Sequence, residues 1–258
     1  GVPLFRRGHR KVRLTGEGER LAPVLTQAFR DIEQVVARLR RPERDVKLKV
    51  PPTFAIRWLI PRLERFQTER PDIQVRLTSG MGEPKLGKEP FDLGVIYVRA
   101  GEPGRRGDVL AANRAVPLAA RRYLEGAPAL HAPADLAGHQ LISTDASGWA
   151  WRRWARAFDV DDLPLEDALQ FEVAEAAIQA ARSGQGVALV DRSLVARELA
   201  AGEVVAPLNV AAVDLGHWLA IYGRGVLEDP CVAAFRHWLL REAETDVADA
   251  PPATPTLA

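Results

Sequence analysis

Sulfur is almost missing from these 258 residues, which hold one cysteine, Cys231, and one methionine. A single thiol excludes an internal disulfide framework and any cysteine-built zinc or iron–sulfur site, and it fits a reducing compartment, so the expected location is cytoplasmic. Lysine is scarce too, found only at positions 11, 47, 49, 85 and 88; the 35 basic side chains are therefore mostly arginine, and against 34 acids they leave a net charge of +1. That balance excludes a chain-wide basic footprint for nucleic acid, so charge has to be read segment by segment. No apolar run approaches the roughly 18 residues that span a bilayer, and the opening residues have no signal-peptide core, so no membrane partner is expected. Gly-x-Ser-x-Gly, Walker and His-Glu-x-x-His patterns are absent, which leaves no expectation of an enzyme, a cofactor or a metal site. Asp159, Asp161 and Asp162 read as a solvated acidic turn, and Cys231 and His237 as structural residues of a terminal helix.

What is present starts with a long helix. Across residues 14–41 the apolar positions Leu21, Leu25, Ala28, Ile32, Val35 and Leu39 are spaced by four, three, four, three and four, the pattern of a seam that meets another helix. Thr15 is placed to cap its start, Glu17 and Glu19 sit where the helix dipole favours negative charge, and Arg38, Arg40 and Arg41 precede Pro42 at its end. Pro23 removes one backbone donor and is expected to kink it. Such a helix is roughly 37 Å long. Two readings follow: the seam pairs with a copy of itself, or it packs on its own domain.

Before the helix, residues 1–13 carry Arg6, Arg7, Arg10, Lys11 and Arg13 around His9, with no acid among them. Gly8 suggests a turn between two short extended arms that would push these side chains outward, either as a frayed solvated end or toward phosphates. Together with the helix, the segment resembles the LysR-type transcriptional regulators. Gly1, Pro3, Leu4, Phe5 and Arg7 match the family's "G-x-P-L-F-x-R" stretch at the end of a winged helix-turn-helix, and Leu14, Thr15 and Gly18 match its "LT-x-x-G" entry into a linker helix. The resemblance implies that Gly1 falls inside the DNA-binding domain and that the recognition helix lies outside this chain. Arg6, Arg7, His9, Arg10, Lys11 and Arg13 would then be a wing that touches the DNA backbone of the full-length protein.

After a polar, proline-broken hinge, residues 46–50 alternate as a strand, Thr53 is placed as the N-cap of a helix over 54–69, residues 73–77 read as a strand, and residues 91–98 form the near-continuous apolar run of a buried parallel strand. In open sheets of this kind ligands settle at the carboxyl ends of strands, beside helix N-termini that attract anions. Those ends hold Thr53, Ser79 and Tyr97, each of which has a structural alternative as a cap, a turn residue or a core aromatic. Further strands are expected at 108–112, 115–119, 140–143, 169–173, 187–190 and 215–222, with helices starting at Trp149, through Ala181 and over 230–242. Gly184 and Gly186 precede a strand instead of following one, which rules out a dinucleotide fingerprint and suits a helix C-cap.

The resemblance extends from residue 1 to about 244 and is greatest to the subgroup that contains the glycine-cleavage activator and the β-lactamase regulators. It implies an α/β fold: a two-lobed periplasmic-binding-protein-like effector domain preceded by a long linker helix and a remnant of a winged helix-turn-helix. The implied divisions are a wing remnant at 1–14, a linker and dimerisation helix at 15–43, and an effector domain at 44–244. Lobe I would take 44–114 and 212–244, lobe II 115–211, and 245–258 would be a disordered tail. By the same resemblance Thr53, Phe54, Ser79, Gly80, Tyr97, Thr144 and His217 line an interlobe cleft for a small-molecule effector, in a homodimer or homotetramer. The chain departs from the subgroup over Gly94, Val95, Ile96, Tyr97 and Val98, where an "AIR-aromatic-G" run with an arginine is usual, at Val173 and Ala174, where the β-lactamase regulators have serines, and at His217, where they have a tyrosine. The rival readings are a solute-binding module of the same architecture without a DNA-binding role, and an enzyme on that scaffold.

Overall fold

The computed structural model describes residues 1–8, 11–39, 44–223 and 225–248. Its first elements, β1 (Phe5–Gly8) and β2 (Lys11–Leu14), form an antiparallel ribbon in which Phe5 faces Leu14 and Arg6 faces Arg13. Gly8 ends a strand instead of forming the turn, and residues 9 and 10, where His9 and Arg10 of the expected wing fall, lie outside the described residues.

Thr15 begins α1 (Gly16–Leu39) and explains why threonine stands there. Its hydroxyl accepts the Gly18 N–H at 3.1 Å and donates to Pro3 O at 2.8 Å, while its own N–H donates to Leu4 O at 3.0 Å. One residue thus caps the helix and straps it to the ribbon's entry. Gly18 has a steric reason, because a Cβ there would lie 2.3 Å from Leu4 O. Pro23 sits inside the helix without ending it. Along the seam Leu25 is 45% and Ile32 57% exposed, Ala28 is exposed and Leu21 half-buried; Val24 and Phe29 beside them are exposed as well. The side chains of Val35 and Leu39 lie outside the described residues.

Beyond the hinge the chain runs through β3 (Asp45–Val50), α2 (Pro52–Phe54), a π-helical turn (Ala55–Leu59), α3 (Ile60–Glu69), β4 (Gln74–Ser79), β5 (Leu93–Arg99) and β6 (Asp108–Leu118). It continues through α4 (Arg121–Gly126), β7 (Leu141–Ser143), α5 (Trp149–Ala157), β8 (Leu169–Gln170), α6 (Ala174–Arg182), β9 (Val187–Asp191), α7 (Ala196–Ala200), β10 (Val213–Tyr222) and α8 (Pro230–Ala248). The eight strands after the hinge make one curled mixed sheet in the order β4-β3-β5-β10-β6-β9-β7-β8. Its outer thirds are parallel, as β3 pairs with β4 and β5 and as β7 pairs with β8 and β9, while β10 runs antiparallel to both β5 and β6.

Two separate cores flank the crossover strands β6 and β10. One gathers Leu48, Phe54, Trp58, Phe66, Leu93, Phe235 and Trp238, with Ile96, Val98, Leu219 and Ile221 packed on the opposite face of β5 and β10. The other half packs on both faces of its strands, with Trp151, Trp154 and Leu136 on one side and Ile142, Ile178 and Val195 on the other. The expected break between strands at 112 and 115 is absent: β6 is a single strand, pairing with β10 up to Ala115 and with β9 from Ala115 onward. The two residues left between the expected strands, Asn113 and Arg114, lie within β6 where it passes from one core to the other. In β10 the matching point is Gly216, at φ +131 and beside a register shift; a Cβ there would lie 2.0 Å from Val98 O.

Three boundaries need correction. Pro51, not Thr53, stands at the N-cap position of α2, without a side-chain cap, and Thr53 lies inside the first turn. The strand expected at 169–173 stops at Gln170, although the Phe171 N–H still reaches Ser143 O. Residues 245–248, expected in a disordered tail, extend α8, where the Thr245 hydroxyl bonds back to Arg241 O; residues 249–258 lie outside the described residues.

Candidate functional site

Between the two cores opens a cleft of about 380 Å³, within the range of small-molecule sites. The carboxyl ends of β3, β5 and β9 reach it, as the sheet rule requires. One wall holds Thr53, Gly80, Tyr97, Arg99 and Trp218, and the other Thr144, Asp145, Trp149, Glu172 and Asp191, with Asn113 on the crossover strand.

Four of the seven expected contact residues, Thr53, Gly80, Tyr97 and Thr144, line this cleft. Three do not. Phe54 is fully buried and stacks on Trp58 at 4.8 Å, because each helical step turns the side chain by about 100° and carries it from the cleft into the core. Ser79 is exposed at the end of the edge strand β4, one residue before the lining begins. His217 falls on the opposite face of β10 from Trp218, which lines the cleft, since strand side chains alternate. Asn113, Asp145, Trp149 and Asp191 were missed. Asp191 carried a signal, being the one acid that closes a buried apolar strand at its carboxyl end.

The lobes are pinned across the cleft by lobe I side chains that reach helices of lobe II. Thr53 Oγ1 accepts the Glu175 N–H at 3.0 Å, so it caps α6 of the opposite lobe instead of its own helix. One step further, the π-helical turn presents Arg57, whose Nε and Nη2 hold Glu175 at 2.6 and 2.8 Å while Nη1 binds Glu198 and reaches Leu194 O at 3.3 Å. The Arg57 hydrogen bonds hold the Glu175 pKa below the usual carboxylate range, against the opposing effect of burial.

Polar groups at the floor form a short chain. The Tyr97 hydroxyl donates to Leu215 O at 2.6 Å and accepts from Asn113 Nδ2 at 3.1 Å; burial, with Asp191 nearby, pushes its pKa up. Asp191 Oδ1 accepts the Ser193 N–H and hydroxyl, each at 2.9 Å, yet burial dominates and lifts its pKa to about 6. Asp145 behaves the other way. Burial works to raise it, but hydrogen bonds from Ser147 and from the Trp149 and Ala150 amides, with Arg99 nearby, bring it below the usual range. Arg99 lies over the Trp149 ring at 5.0 Å, a further contact between the walls. Among the described residues no group of three or more histidine, cysteine, aspartate or glutamate side chains could hold a metal ion.

Comparison with known proteins settles what kind of chain this is. The family described as "LysR substrate binding domain" matches residues 39–244. The chain belongs to the LysR family. It is 31% identical over 249 residues to the glycine cleavage system transcriptional activator of Escherichia coli (strain K12), spanning 95% of this chain and 81% of that one. With the transcriptional activator AmpR of Pseudomonas aeruginosa it shares 34% identity over 250 residues, 95% of this chain and 82% of that one. The effector domain of that AmpR superposes with a TM-score of 0.69 at 30% identity, covering 80% of this chain and 98% of that one. CrgA of Neisseria meningitidis, at 22% identity, shares the fold with a TM-score of 0.65. This LysR-type regulator therefore carries the two-lobed effector-binding fold that its sequence predicted, in a line of transcription regulators and not of transport modules.

Proposed function

We propose that this regulator senses a small molecule in the interlobe cleft, in the cytoplasm, and transmits the angle between its lobes through a pair of α1 helices to DNA. In this reading residues 1–14 belong to a wing, 15–43 to the dimerising linker, and 44–244 to the two lobes, which meet at Asn113–Ala115 on β6 and Val213–Gly216 on β10. The use of the cleft is sensing and not catalysis.

The observation that carries the reading is the cleft itself, built between two separately packed cores and crossed by the Thr53 and Arg57 contacts. A ligand that prefers one lobe angle shifts the balance by its difference in affinity for the two states. The apolar seam of α1, exposed in the single chain, supports pairing with a second copy. In the ribbon, exposed Arg6 and Arg13 are directly opposite each other, an arrangement that costs stability until an anion such as a DNA phosphate lies between them.

Gly80→Trp tests the sensing site. Gly80 is a lining residue and a Cβ there meets nothing within 4 Å, so an indole can be added at the cleft without a backbone clash. Metabolites that raise the melting temperature of the wild type are expected to lose that effect in G80W. Stabilisation that survives in G80W would refute the cleft as the sensing site.

A further inference from the structure

Cleft ligands are held by what the walls leave unsatisfied. Two of the helix N-termini beside the cleft are already capped, while that of α2, at Pro51–Thr53 in the lining, has no side-chain cap. The N-terminus of α6 is capped by Thr53 Oγ1, and that of α5 by Asp145 Oδ1, which accepts the Trp149 N–H at 3.0 Å. Of the two arginines in the lining, Arg105 is paired with Glu83 and Arg99 covers the Trp149 ring at the rim.

Two acceptors at the floor are open, and so is one donor of a lining residue, the buried Trp218 Nε1. Asp191 is 4% exposed, and its Oδ2 is buried with no hydrogen-bond partner; Asn113 Oδ1 is buried and unpartnered in the same way. The orientation of the Asn113 amide follows from its neighbours, because the Tyr97 hydroxyl spends its proton on Leu215 O and leaves only a lone pair for Nδ2. Asp191 pairs with Ala115, two residues along β6 from Asn113, so the two acceptors share one face as diagonal neighbours. Four carboxylates line the cleft, Glu83, Asp145, Glu172 and Asp191, against the two arginines. Arg114, through its amide and its charge, favours the Asp191 carboxylate, but burial outweighs both; Oδ2 keeps no hydrogen-bond partner, and a ligand that brings a donor and a positive charge lowers that cost.

We infer that the cleft takes a ligand bearing a primary ammonium group, which donates to Asp191 Oδ2 and Asn113 Oδ1 at the floor; the inference rests on the cleft being the effector site.

The test uses three probes of one shape, pentylammonium, pentanoate and pentanol, with melting temperature and calorimetric affinity as readouts on the whole chain. Pentylammonium is expected to stabilise the wild type and the other two to leave it unchanged, with affinity at least ~10-fold weaker in Asp191→Asn. D191N keeps the Oδ1 that caps Ser193, so unliganded D191N should melt no lower than the wild type at neutral pH. Asn113→Ser removes the second acceptor by an independent route and should weaken the same probe. Pentylammonium binding that is equal in D191N and N113S, or absent from the wild type, overturns the ammonium assignment. Pentanoate that binds the wild type and D191N but not G80W keeps the cleft and overturns the ammonium. Pentylammonium binding that persists in G80W overturns both.

Discussion

Arg57→Met is the perturbation whose cost the geometry sets most closely. It keeps the apolar stem and removes every charge-assisted contact between the π-helical turn and lobe II. Glu175 and Glu198 are then left facing each other with no cation between them. The three side chains are 11%, 20% and 11% exposed, so this is a largely desolvated cluster and not a surface pair. Removing one partner from such a cluster costs about 3 kcal/mol, the low end for buried pairs, because residual exposure screens the orphaned acids. Urea unfolding at neutral pH is the assay. The loss should shrink on acidification, since Glu175 has a lowered pKa and its share of stability is present above the usual glutamate range and lost as pH falls. Adding Glu198→Gln to R57M should recover about 1 kcal/mol by relieving the repulsion. A loss below about 0.5 kcal/mol, independent of pH, would refute the claim that this cluster holds the lobes together.

Asp191 should show the opposite pH dependence: its carboxyl, 3.8 when unfolded and about 6 when folded, makes stability fall as pH rises between those values, by about 3 kcal/mol, and D191N should lack this component. Thr53→Val keeps the shape of the side chain and leaves the Glu175 N–H without its acceptor, which should cost about 1 kcal/mol in thermal or urea unfolding. Thr15→Ala should cost about 1–2 kcal/mol of α1 stability, read by helix-specific hydrogen exchange, because it removes a cap and a strap together. Ile32→Glu on the exposed seam should convert a dimer to a monomer in sedimentation equilibrium, and a monomeric wild type would count against the seam.

The elements that sequence predicts well here are those decided by local chemistry. Thr15 and Gly18 announced the helix start, the apolar run at 91–98 announced a buried strand, and Gly184 announced a helix end. Where residues act across the fold, sequence gave less. The partners of Arg57 are 118 and 141 residues away, and nothing local distinguishes that arginine from its neighbours. Side-chain parity decided the cleft errors: Phe54 for Thr53 alone, and His217 for Trp218, are displacements of a single residue, which reverse a face on a strand and turn it by about 100° on a helix. Asn113 fell between the strands expected at 108–112 and 115–119, so its place in the lining became visible only once β6 proved to be a single strand.

Hydrogen exchange on the whole chain, with and without the strongest stabilising compound, tests the central claim most directly. Slower exchange is expected at residues 53–59, 144–150 and 172–175, together with a change in the crossover stretches 113–115 and 213–216. Protection confined to other surfaces, with those five stretches unaltered, would contradict it.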